Sequence, residues 1–229
     1  MDIRTYWEDK IIGWEDGRYE FKTSRFQPLE WIANRSSASL RYRLASASEL
    51  LVPEVNGLRV VELGCGSGLL AANIINAGAA SYRGVDIAEA AIARARDRAA
   101  AIGIADKVQF DRADLATLKE LDADVVFSLG LLDWLSDPEL NHLYRIGKDA
   151  HWLHAISERR DSPSQYLHRL YVFLAYGYRT ERYTPRYFAV NEICEIANRY
   201  NPRPVRVIRN RQLSFGALLT TLNADRRCQ

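Results

Sequence analysis

The sequence predicts an α/β fold, a doubly wound and mostly parallel sheet with helices on both faces. Three observations predict it. From Leu58 onward, short β-branched apolar runs alternate with helical stretches at the spacing of parallel βαβ units. One run, Val60–Val61–Glu62–Leu63, leads into Gly64–Cys65–Gly66–Ser67–Gly68, which reads as a buried strand, a tight turn and the start of a helix. A second acidic residue, Asp86, ends the next apolar run about 20 residues beyond the glycines, where a doubly wound fold places a carboxylate on a ribose hydroxyl pair.

In chain order, Ser37–Leu51 has helical spacing (Ala38, Leu40, Leu44, Ala47, Leu51) and is ended by Pro53 and Gly57. Strands are expected at Arg59–Leu63, Ser81–Asp86, Val108–Arg112, Ala123–Leu129 and Trp152–Ser157. Helices are expected at Leu69–Ala77, at Glu89–Ile102 and from Asp137 to near Gly147, the last with Pro138 in its preferred first turn. Right-handed crossovers bring the carboxyl ends of these strands to one rim, so Gly64, Asp86, Asp114, Leu129 and Ser157 should share it. The alternation stops after Ser157. Residues 158–190 carry tyrosines, His168 and six arginines (Arg159, Arg160, Arg169, Arg179, Arg182, Arg186), with Gln165–Tyr176 helical. It resumes with a helix at Asn191–Tyr200 and strands at Val205–Asn210 and Leu213–Leu222, whose short link implies an antiparallel pair.

Composition narrows the class. The chain has 229 residues, 48% hydrophobic and 26% charged, which fits one ordinary domain with additions. A net charge of +2 argues against general nucleic-acid binding. Cys65, Cys194 and Cys228 lie too far apart for a disulfide framework or a zinc site, and Cys65 reads as a small apolar filler. Met1–Lys10 is polar, and no apolar run has membrane-spanning length, so a cytoplasmic protein is expected. Residues 1–57 are expected to form an N-terminal helical arm and cap, dense in aromatics, and 58–229 the catalytic domain with a substrate-binding insertion at 158–190.

A dinucleotide fold usually shows G-x-G-x-x-G. Here the spacing is G-x-G-x-G with Glu62 two residues ahead, and this resembles the first motif of class I S-adenosylmethionine-dependent methyltransferases. The resemblance implies a seven-stranded Rossmann-like sheet whose last strand inserts, reversed, beside the fifth. It also implies S-adenosylmethionine as cofactor rather than NAD. Glu62, Gly64, Cys65, Gly66 and Gly68 would surround its amino acid and ribose parts, and Asp86 would accept from the ribose hydroxyls. Ile87 would flank the adenine, Asp114 (rather than Asp111) with Leu115 would meet its amino group, and Leu129 would line the floor.

Methyl transfer to a hydroxyl needs in-line alignment, exclusion of water and a base. His168 is the first candidate base, because an imidazole titrates near neutrality, with a packed or solvated helix histidine as the other reading. Asp133, four residues after the fourth strand, is the second, although it could equally cap a helix or pair with an arginine. Arg159, Tyr171 and Trp14 are expected acceptor contacts, the arginines pointing to an anionic group unless they reflect only composition. The arm and the insertion loosely resemble methyltransferases found with bacterial surface-glycan assembly. No cluster has metal-ligand spacing, so catalysis without a metal is expected, with Asp133 and Asp137 a small opening for magnesium. The expected function is methyl transfer to a small-molecule or glycan hydroxyl. N-methylation and a non-catalytic cofactor-binding module are the alternatives.

Overall fold

The computed structural model describes Trp7, Glu8, Ile11, Gly13, Glu15, residues 27–172 and residues 185–223. A long helix, α1 (Gln27–Leu51), precedes the sheet. Then follow β1 (Arg59–Leu63), α2 (Ala71–Asn76), β2 (Ser81–Asp86), α3 (Glu89–Ala101), β3 (Val108–Arg112), β4 (Val125–Leu129), α4 (Asp137–Ile146) and β5 (His151–Ser157). The chain continues through α5 (Pro163–Val172), α6 (Val190–Asn198), β6 (Arg206–Ile208) and β7 (Gly216–Thr220).

The strands form a seven-stranded sheet in the order β3-β2-β1-β4-β5-β7-β6, in which β7 runs against both of its neighbours and the remaining pairs are parallel. This is the doubly wound architecture expected from the alternation. Side chains alternate across the sheet, and each face is covered. Val60, Tyr82, Phe110, Phe127, Leu153 and Leu218 meet α1, α2 and α3 on one face. Val61, Val85, Val126, Trp152 and Leu219 meet α4 and α6 on the other. Each fully buried Leu or Phe of these layers contributes roughly 1.5–3 kcal/mol of transfer free energy. From β1 the chain winds outward to β3, then returns to β4 on the other side of β1. The carboxyl ends of β1 and β4 therefore flank the point where the strand order reverses, the place where open α/β sheets leave a crevice for ligands.

Some boundaries differ from expectation, for local reasons. The first helix begins ten residues before Ser37, with Pro28 in its first turn, where proline's missing N–H costs nothing. The expected strand from Leu213 starts only at Gly216, because Asn210 accepts from Gln212 N and caps a 3-10 turn at Arg211–Leu213, and Ser214 takes a positive φ. The fourth strand starts at Val125 rather than Ala123.

Candidate functional site

The glycine-rich turn is built on the end of β1. Gly64 N and Cys65 N both donate to Val85 O at the end of β2, at 2.8 and 3.1 Å, and Gly68 N closes the turn on Cys65 O at 2.9 Å. Its three glycines all have positive φ, yet each meets a different neighbour. A Cβ on Gly68 would stand 2.7 Å from the Phe110 ring, so this glycine lets the turn pack on β3. Above Gly64 lies Leu131, from the loop after β4, 3.3 Å from where a Cβ would be. A Cβ on Gly66 would collide with Glu15 Oε1, a carboxylate from the N-terminal segment.

Four acidic side chains gather around this turn. Asp86 Oδ2 accepts from Gly66 N at 2.9 Å and its Oδ1 from Ala88 N at 3.0 Å; burial raises its pKa while these N–H groups draw it back down. Glu15 Oε1 accepts from Ser67 N at 2.9 Å, and burial raises this carboxyl as well. Glu62 is buried on the sheet face between β1 and β2, where Tyr82 donates its hydroxyl to Oε2. Burial, with the charges of Glu15 and Asp86 added, pushes Glu62 up to about 8 despite the Tyr82 bond. Glu8 accepts from Glu89 N, the first residue of α3, at 2.9 and 3.0 Å, and its charge adds to the upward shift of Asp86. Cys65 is buried, its thiol pushed well up by that burial, and its Sγ lies 2.8 Å from where a Cβ on Gly84 would be. It fills the core.

The remaining expected site residues are placed as follows. Ile87 follows Asp86, and its carbonyl accepts from Arg112 Nε at 3.3 Å. Asp114 follows β3 and accepts from Ala116 N at 3.0 Å, capping the short 3-10 turn that starts with Leu115. Asp111 lies within β3 and pairs with Arg83 at 2.6 Å. Leu129 ends β4 and precedes Gly130, whose φ of +99° turns the chain toward Leu131. Asp133 is buried after β4, and both its oxygens are engaged by the end of β5: Oδ1 accepts from Ser157 N at 2.8 Å and Oδ2 from Ser157 Oγ at 2.7 Å. Burial raises its pKa, and the nearby Arg43 charge and the Ser157 bonds oppose that shift.

Arg159 donates to Glu192 Oε1 and so ties the end of β5 to α6. Arg160 pairs with Glu158, and Arg186 pairs with Asp137 and donates to Leu135 O. These arginines of the insertion thus hold neighbouring segments together, a role that composition alone did not reveal. His168 and Tyr171 lie on α5, but their side chains fall outside the described residues, as does Trp14 altogether. No group of three or more His, Cys, Asp or Glu side chains converges as a metal site among the described residues, nor is any described helix long and apolar enough to cross a membrane.

Glu15, Tyr82, Leu131 and Arg43 were missed by sequence reasoning. Tyr82 alone had a signal: it lies in the strand next to Glu62, two places from the partner Gly84, on the same face.

A glycine-rich turn ringed by carboxylates would repel a pyrophosphate. The donor set fits a nucleoside cofactor with hydroxyl and cationic parts and no phosphate. The class defined by the fold and this turn is a doubly wound α/β protein with a glycine-rich turn at the β1/β4 switch point, where such sheets take ligands. Within that class, residues 60–149 match the family model described as a methyltransferase domain. This stretch is similar to class I S-adenosylmethionine-dependent methyltransferase domains, and a solved structure of similar fold holds S-adenosylmethionine.

Among curated proteins, the chain is 34% identical over 88 residues to a ubiquinone biosynthesis O-methyltransferase of Neisseria meningitidis serogroup C (strain 053442), covering 37% of each chain. It is also 34% identical over 97 residues to the 27-O-demethylrifamycin SV methyltransferase of Amycolatopsis mediterranei (strain S699), covering 42% of this chain and 36% of the relative. The matched stretch thus spans little more than a third of these relatives. In fold, the chain is similar to the crystal structure of magnesium protoporphyrin IX methyltransferase from Synechocystis PCC 6803 with bound S-adenosylhomocysteine. The TM-score is 0.72 at 17% identity, covering 95% of this chain and 96% of that one.

Proposed function

We propose that the protein transfers a methyl group to a hydroxyl of a small molecule or sugar unit. The observation that carries this reading is the carboxylate-ringed G-x-G-x-G turn at the switch point, within a stretch matching a methyltransferase domain. The names of the two curated relatives support oxygen as the methylated atom. When bound, the cofactor supplies a methyl on a sulfonium whose leaving group is a neutral thioether. His168 would take the proton of the acceptor hydroxyl as its oxygen displaces the thioether from the methyl.

The chain's own residues bind, align and exclude water. Gly64, Gly66 and Gly68 shape the turn beside the cofactor's amino acid part, with Glu62 and Cys65 behind it. Asp86 accepts from the ribose hydroxyls. Ile87, Asp114 and Leu115 border the adenine, and Leu129 with Leu131 floors the methyl end. Trp14, Tyr171 and Arg159 contact the acceptor, and an anionic acceptor would compete with Glu192 for the Arg159 fork. The N-terminal arm and the 158–190 insertion close over the pair.

Replacing Asp86 with alanine is expected to weaken cofactor binding by roughly 1.5–3 kcal/mol, the range for hydrogen bonds to a charged group. Calorimetry reads this directly, and unchanged affinity would move the ribose site elsewhere. The reaction itself is tested by a cofactor-coupled screen of hydroxyl and amine acceptors, with product mass locating the added methyl. Turnover on hydroxyl compounds supports the proposal; methylation only of amines overturns its oxygen assignment.

A further inference from the structure

The N-terminal arm touches the cofactor turn through charge, and that contact has a consequence for the cofactor's two forms. Trp7 packs edge-on against Trp134 after β4, with ring centroids 5.1 Å apart, and Ile11 is buried against Ala88 and Ala91 at the start of α3. Between and beyond these anchors, Glu8 holds Glu89 N and Glu15 holds Ser67 N. The arm therefore spans from the loop after β4, past the first turn of α3, to the glycine-rich turn.

Glu15 is only 7% exposed and occupies the space above Gly66 that any side chain there would need. The wholly buried Ser67 hydroxyl lies beside the same carboxylate without closing a hydrogen bond of normal geometry. Among the described residues, the charges acting on Glu15 include Asp86, which repels it, and Arg98 of α3, which attracts it; Glu62 is in turn acted on by both Glu15 and Asp86. Four acidic side chains thus share one small region, two from the arm and two from β1 and β2, with Glu62 held largely protonated at neutral pH by its burial. Packing carboxylates together out of water is unfavourable unless a cation joins them.

Resting on the methyl-transfer reading, we infer that Glu15 is a specificity-determining residue that closes the arm on the positively charged cofactor and releases it from the neutral product. S-adenosylmethionine carries a sulfonium that S-adenosylhomocysteine lacks, so each turnover removes one positive charge from beside the carboxylate group. Arm closure and cofactor charge are then linked, and each strengthens the other. The loss of charge on methyl transfer loosens the arm, which lets the product leave.

The test is hydrogen–deuterium exchange across residues 7–15 of the full chain, together with calorimetry. The ligands are S-adenosylmethionine, S-adenosylhomocysteine and an analogue with a protonated amine in place of the sulfonium. The two cationic ligands are expected to slow exchange in the arm about tenfold more than the product does, the order expected for one partly buried charge pair. Glu15→Gln, nearly isosteric, should erase that difference and weaken S-adenosylmethionine about tenfold while leaving S-adenosylhomocysteine unchanged. Trp7→Ala, which removes packing but no charge, should loosen the arm equally with every ligand.

Equal protection by cofactor and product in the wild type would overturn the inference. A Glu15→Gln variant that binds both forms more tightly would also overturn it, because Glu15 would then be a plug. Failure of the wild type to bind either form would instead overturn the methyl-transfer reading on which this rests.

Discussion

Replacing His168 with alanine is expected to lower turnover on a hydroxyl acceptor by about 10²–10⁴ and to leave cofactor affinity unchanged, the usual size of a general-base contribution. The other three histidines are held elsewhere. His142 on α4 faces the carbonyls of Leu115 and Leu118 through Nε2 and receives Arg145 at Nδ1. His151 begins β5 on the opposite rim, and His154 is buried in mid-strand. Asp133, the other candidate base, has both oxygens engaged by Ser157, and its replacement would leave a strand-end N–H without its acceptor. Steady-state rates with a hydroxyl acceptor, measured beside cofactor calorimetry, separate base from scaffold. A fully active His168→Ala enzyme would remove His168 from the mechanism and favour Asp133 or an amine acceptor.

The second large effect is on stability in acid. His154 is fully buried, bonded through Nδ1 to Ser128 Oγ at 2.9 Å, stacked on Trp152 and edge-on to Tyr144. Burial pushes its pKa down to about 3, from an ordinary 6.5. Between those values the unfolded chain binds a proton that the folded chain refuses. This contribution to stability is complete above the ordinary value and is lost as pH falls toward about 3, by several kcal/mol at roughly 1.4 kcal/mol per unit.

Glu62 acts in the opposite direction. Its folded value of about 8 lies above the ordinary 4.5, so its contribution is complete below 4.5 and is lost as pH rises through about 8. Denaturant unfolding of wild type and His154→Phe at pH 7 and pH 4 isolates the histidine. The wild type should lose several kcal/mol relative to the variant over this interval. Parallel losses would contradict the assignment.

What the sequence disclosed, and what it did not, follows the range of the interactions involved. Alternation and glycine spacing are local, so the parallel core from Arg59 to Ser157 was readable, as was the reversed last strand. The early start of α1 was not, because Asn34, Arg35, Ser36 and Ser37 interrupt any apolar stripe while leaving the helix itself intact. By spacing alone the glycines read as room for a ligand. The structure shows Gly68 and Gly64 fitted to Phe110 and Leu131, and Gly66 fitted to a carboxylate from the arm.

Contacts such as Glu15 with Ser67, or Arg159 with Glu192, join residues far apart in the chain and leave no trace in spacing. The arginines of the insertion suggested an anion site by composition, but the described ones have acidic or aromatic partners within the protein. The proposed base and acceptor contacts rest on residue chemistry and sequence position; the side chains of His168 and Tyr171, and Trp14 altogether, lie outside the described residues.

If the carboxylate-ringed turn holds a cationic nucleoside cofactor, calorimetric titration of the full chain with S-adenosylmethionine, S-adenosylhomocysteine and NAD will discriminate among them. Saturable binding of the first two, with no heat from NAD, is the predicted result. Binding of NAD without binding of S-adenosylmethionine would mean that the turn serves a dinucleotide instead.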